Sequence, residues 1–105
     1  DTLWHHVAVA VNGSTIRFYI DGVMDSQQTY AQTYNSFNSA YHLGSRNGSQ
    51  LFMGRMDEVR IWNVERSVSG INAARCSEIL GNEPGLVAYY RFNEANTSGT
   101  ALDAS

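Results

Sequence analysis

The sequence predicts an all-β fold, a segment of an antiparallel β-sandwich with one short helix, and three observations carry the prediction. Short stretches of alternating bulky and small side chains recur along the chain. Tight-turn pairs separate them at Asn12-Gly13, Asp21-Gly22 and Asn47-Gly48. Only the stretch from Val68 to Arg75 carries a helix start, with Ser67 placed to cap it. Many short strands with one minor helix stack as two sheets.

The elements follow in order. Trp4 to Val11 alternates, Asn12-Gly13 turns, and Ile16 to Ile20 alternates again. A two- or four-residue loop puts Val7, Val9 and Val11 on one face with Ile16, Phe18 and Ile20. A one-residue slip would destroy that face, so these six are the expected core set. Asp21-Gly22 ends the second strand. Residues 25–40 show no dominant period and read as a long loop with at most one irregular strand. Tyr41 to Gly44 reads as a short strand and Arg46 to Ser49 as a turn. Leu51 to Gly54 leads into a second strong strand from Met56 to Asn63, where Val59 and Ile61 repeat at period two. Gly70 weakens the helix by up to ~1 kcal/mol relative to Ala. Gly81 to Gly85 is a breaker, Leu86 to Asn93 a final strand, and the rest a Gly/Ser/Thr-rich tail.

Composition removes several function classes. The chain has 105 residues, enough for one small domain, and 43 % hydrophobic residues, enough for a packed core. Charged residues make up 16 %, below the ~25 % typical of soluble domains. All seven basic residues are Arg, the net charge is −3, and no basic stripe exists to neutralise phosphates. Nucleic-acid binding is therefore excluded. No apolar run approaches the ~20 residues of a membrane span, which excludes membrane insertion by a helix. Cys76 is the single cysteine, so it makes neither an internal disulfide nor a zinc site, and it is expected to be buried. The chain opens at Asp1-Thr2-Leu3-Trp4, already in a strand pattern, as expected of a piece of something longer.

Three stretches go beyond pattern. They are Trp4-His5-His6-Val7-Ala8 with Phe18-Tyr19-Ile20-Asp21-Gly22, then Gly54-Arg55-Met56-Asp57-Glu58-Val59-Arg60-Ile61-Trp62-Asn63, then Gly85-Leu86-Val87-Ala88-Tyr89-Tyr90-Arg91-Phe92-Asn93-Glu94. Their order and spacing resemble the laminin G-like, concanavalin A-like jelly-roll domains related to the pentraxins. The resemblance implies two packed antiparallel sheets, a secreted or cell-surface setting, and binding of glycans or of surface and matrix proteins. It also implies an order. Such domains open with a strand like Ala88 to Glu94 and close with one like Asp57 to Trp62. Residues 1–80 are thus expected to be the C-terminal half of one domain, and 81–105 a linker and the opening strand of a following repeat. In the alternative, the last strand folds back to complete the sandwich.

Candidate chemistry is sparse. Asp57 and Glu58 are the most conspicuous carboxylates, but neighbours on a strand point to opposite faces. A glycosidase needs two carboxylates converging across ~5 to 9.5 Å, so catalysis is not expected. Asp57 shares a face with Val59 and Ile61, and a charge there needs compensation. It is expected to be a structural hydrogen-bond acceptor or, in the complete domain, a ligand to Ca2+. The pentraxin-type calcium stretch is replaced here by Ser45-Arg46-Asn47-Gly48, which carries no acid. Glu58 and Arg60 read as a solvated pair. His5 and His6 point to opposite faces and cannot chelate one metal, so no metal site is assigned. Trp4 and Trp62 read as core anchors. The best ligand contacts are Tyr30, Tyr34, Asn35, Phe37 and Asn38, near Tyr41, because aromatic faces stack on sugar rings and amides serve hydroxyls.

The expected function is a non-catalytic binding or adhesion module among neighbouring repeats. The alternative is an accessory carbohydrate-binding domain of a larger glycan-active enzyme. Half a sandwich buries less apolar area against an ordering cost of ~1 to 2 kcal/mol per residue, so marginal stability or association through open edges is expected.

Overall fold

The computed structural model describes residues 1–31, 40–95 and 99–105. Among these residues, five strands and one helix run in the order β1 (Val7–Asn12), β2 (Thr15–Ile20), β3 (Val23–Thr29), β4 (Val59–Trp62), α1 (Val68–Ala74) and β5 (Leu86–Tyr90). They form two antiparallel sheets, β1-β2-β3 and β4-β5. This is a partial β-sandwich with one short helix.

The first sheet follows from its turns. β1 and β2 pair with Val7 opposite Ile20, Val9 opposite Phe18 and Val11 opposite Ile16. Asn12 faces Thr15, so the loop is Gly13-Ser14, with Gly13 at φ 57. β2 and β3 are joined by Asp21-Gly22, whose φ angles of 51 and 81 are those of a type I′ hairpin. The register shifts between Phe18 and Tyr19, leaving Asp25 as the extra residue of a bulge. β3 lies in the stretch whose polar sequence shows no strand period. Its pairing comes from the Asp21-Gly22 turn, and all seven of its residues are exposed.

The core lies on the opposite face from the one that alternation selects. Val7, Val9, Val11 and Ile20 are exposed, Phe18 is partly covered, and of the six only Ile16 is buried. Ala10 and Tyr19 are buried instead, in a cluster with Ile71 of α1 and with Ala8 packed against it. Alanines at positions 8 and 10 leave room for a helix, whereas no second layer covers the valine face among the described residues. Ser67 caps α1, accepting the Gly70 amide at 3.1 Å. Asn72 ties α1 to the second hairpin through the Gly22 carbonyl, at 2.9 Å.

The second sheet is shorter than its sequence pattern. Glu58 at φ 55 and Phe92 at φ 53 take left-handed backbone and stop β4 and β5. Residues 41–44 and 51–54 form no strand. Arg46 and Ser49 do close a two-residue turn over Asn47-Gly48, exchanging backbone bonds of 2.8 and 2.9 Å. β4 and β5 pair with Val59 opposite Tyr90 and Arg60 opposite Tyr89. The tail is pinned. Asp103 bridges to Tyr90, its carboxylate accepts the Tyr89 amide at 2.9 Å, and the Ala104 amide bonds the Tyr89 carbonyl at 2.8 Å.

Residues 74–80 cross the second sheet, and polar groups fasten them. Arg60 donates to the Ala74 and Ser77 carbonyls at 2.8 and 2.5 Å. Arg91 donates to the Ile79 and Leu80 carbonyls at 3.0 and 3.3 Å. Tyr89 is fully buried, and both guanidinium groups sit against its ring, at 5.3 and 5.0 Å from the centroid.

Three further expectations are corrected. Cys76 is exposed, because it lies in the turn after α1 rather than on a packed face. Trp4 is 64 % exposed, because it precedes β1 and has no facing layer among the described residues. Trp62 is only partly covered, and Arg66 stacks on it at 4.2 Å.

Candidate functional site

The acidic pair in the segment leading into β4 has a definite geometry. Asp57 is exposed and lies before β4, not on a face with Val59 and Ile61, because the left-handed turn at Glu58 breaks the alternation. Its carboxylate accepts the Glu58 amide at 2.9 Å. Glu58 is not a solvated partner of Arg60. The Arg60 side chain is only 10 % exposed, and its Nη2 donates to Glu58 Oε2 at 2.8 Å. The same oxygen accepts the Tyr89 hydroxyl at 2.5 Å. Glu58 is thus engaged in holding β4 to β5. Sequence periodicity missed this cluster, although the order Glu58, Arg60, Tyr89, Arg91 at spacings of two carries it.

Tyr30 directly follows β3, and its hydroxyl donates to Gln28 Oε1 at 2.6 Å. Gln28, Ser26 and Asp25 line a shallow open groove of about 380 Å³ with Val7, Val9, Phe18 and Ile20. Tyr30 therefore stands next to that groove. Tyr34, Asn35, Phe37 and Asn38 lie outside the described residues.

The histidines have acidic and basic neighbours, most of them distant in sequence. His5 Nδ1 lies 2.8 Å from Asp21, and its Nε2 lies 2.9 Å from Asp1. The His6 amide donates to the other Asp21 oxygen at 2.9 Å. Among the described residues, no group of three or more His, Cys, Asp or Glu side chains is arranged to hold a metal ion. No helix of the described residues is long and apolar enough to cross a membrane.

A pH dependence follows from His6 and Asp21. His6 Nδ1 is buried without a hydrogen-bond partner among the described residues. Burial holds the imidazole below its usual value, Arg60 and Arg75 lower it further, and Asp21 opposes them. The unfolded chain takes up this proton near pH ~6.5, before the folded chain does. Stability is therefore full above that pH and falls as pH drops towards the lower folded value. Asp21 acts further down. The hydrogen bonds from His5 and from the His6 amide hold its carboxyl low. Its contribution is present above ~3.9 and is lost as pH falls through the folded value. Thermal melts between about pH 7 and pH 3 should show stability lost in two stages. His6→Gln should remove the upper stage and leave the lower one.

The two antiparallel sheets, the Asp-Gly hairpin after β2 and the strand leading into α1 define the class. The chain belongs to the concanavalin A-like lectin/glucanases superfamily, whose laminin G family model matches residues 1–72. The match spans β1 to β4 and enters α1, and β5 lies beyond it. Over 68 residues the chain is 34 % identical to usherin of Mus musculus, covering 58 % of this chain and 1 % of that protein. The chain thus spans about one hundredth of the length of the curated relative. No solved structure matches.

Proposed function

We propose that the chain is a non-catalytic binding or adhesion module of an extracellular or cell-surface protein, recognising glycans or surface and matrix proteins. The superfamily match over residues 1–72 carries this reading. The state of the acidic pair supports it. Glu58 is engaged by Tyr89 and Arg60, while Asp57 accepts the Glu58 backbone amide. The ligand contacts fall on Tyr30, Tyr34, Asn35, Phe37 and Asn38. The position of Tyr30 next to the groove, on Gln28, supports that placement. Asp57 offers a carboxylate oxygen to Ca2+ in the complete domain. The antiparallel pairing of β5 with β4 supports the reading in which residues 86–90 complete the sandwich.

A glycan array and a panel of matrix proteins, each with and without EDTA, test the proposal. Tyr30→Ala, Tyr34→Ala and Phe37→Ala should each weaken the captured ligand about tenfold, as a contact aromatic does. Binding to protein alone would remove the carbohydrate half of the reading. Full affinity in all three variants would overturn the placement of the site.

A further inference from the structure

We propose that β1 is a self-complementary edge that pairs two copies of this chain, strand against antiparallel strand, about a two-fold axis at Val9. β1 lies at one side of the sheet order β1-β2-β3. The Asp21 amide bonds the His6 carbonyl at 2.8 Å, so His6 and Asp21 form a hydrogen-bonded pair. Such pairs alternate along an antiparallel ladder. Ala8, Ala10 and Asn12 therefore turn their backbone groups inward to β2. Val7, Val9 and Val11 turn theirs outward, to the edge that no strand among the described residues pairs. The same three residues carry the exposed side chains of the valine face.

The two edges of this sheet differ. β3 carries the polar run Asp25-Ser26-Gln27-Gln28-Thr29 and the bulge at Asp25, both of which deter further pairing. β1 reads Val-Ala-Val-Ala-Val-Asn, with no charge, no Pro, no Gly and no register shift against β2. A segment of that kind is built to be continued.

Self-complementarity selects the occupant. Residues 7–11 read the same in both directions, Val-Ala-Val-Ala-Val. With Val9 facing Val9 of a second copy, Val7 faces Val11 and Ala8 faces Ala10. All three outward-facing residues then fall in hydrogen-bonded pairs, giving about six bonds, two for each pair. The interface is isologous and closes on itself. It joins the two valine faces into one continuous surface.

Sedimentation equilibrium of the 105-residue chain tests this. A monomer–dimer equilibrium is expected. Val9→Pro removes an outward amide and no hairpin bond, a change that edge strands tolerate. It should weaken the dimer by at least ~30-fold while the circular dichroism stays that of the native chain. Val9→Lys serves if the proline variant does not fold, because it sets two like charges opposite each other at the axis. Val23→Lys, at the start of β3, should leave the dimer intact. A chain that stays monomeric up to millimolar concentration would overturn the proposal. So would a dimer that both Val9 variants keep at wild-type strength, the result expected if the valine faces merely stack. A version extended upstream of Asp1, monomeric and with the Val7, Val9 and Val11 amides protected from exchange, would overturn it in favour of an upstream strand.

Discussion

Tyr89→Ala should cost about 3 to 5 kcal/mol, the usual penalty for deleting a buried aromatic ring. That is a large part of the stability of a chain this size. Tyr89 is fully buried, and the ring is what Arg60 and Arg91 lie against. Both guanidinium groups keep an Nε buried and without a hydrogen-bond partner among the described residues, so the ring face is an important neighbour for them. Without the ring, two cations are left over a cavity, and the crossing of residues 74–80 loses its support. Tyr89→Phe separates the hydroxyl from the ring. It keeps the stacking but leaves Glu58 with Arg60 alone and the Ile79 amide without its acceptor at 3.2 Å. A cost of about 1 to 2 kcal/mol is expected for the Phe variant. Urea unfolding followed by tryptophan fluorescence measures both. Equal costs for the two variants would show that the hydroxyl, and not the ring, holds the sheet.

Ile71→Ala should cost about 2 to 4 kcal/mol, and Ile71→Val about 0.5 to 1.5. Ile71 is the residue through which α1 meets the first sheet, in the cluster with Ala10 and Tyr19. The neighbouring links from that region to the hairpins are polar and mostly exposed. They are Asn72 to the Gly22 carbonyl and Glu65 to Asn12 and Arg17. Exposed links of that kind contribute little. The loss should therefore be local. Amide exchange in β1 and β2 should quicken in Ile71→Ala before exchange in β4 and β5. Uniform quickening across both sheets would show a single cooperative core.

Much of this fold was legible in residues 1–22 and at α1. Turn chemistry set the first hairpin and the end of β2, and Ser67 set the helix start to the residue. The valine face was legible as a face, but not as exposed. Alternation says which side chains travel together, whereas the packed side depends on which layer is present. β3 escaped because a strand paired at one edge and open on both faces needs no apolar period. The Tyr89 cluster escaped for the opposite reason. Its members are polar and read as surface until residues 74–80 are laid over them. Of the ligand candidates, Tyr30 alone lies among the described residues. Its neighbour Gln28 was legible only as polar composition.

The pinned tail leaves a mark elsewhere in the chain. Gly81 has φ 99, and the space where its Cβ would stand is taken by the Ala104 carbonyl. Two residues far apart in sequence are thereby coupled through an atom that glycine lacks. Position 81 should be intolerant of every side chain while the tail is docked. In a chain ending before residue 104, only the backbone angle would still select for glycine. A side chain at position 81 of a relative would thus mark a following segment that does not return to clasp the last strand.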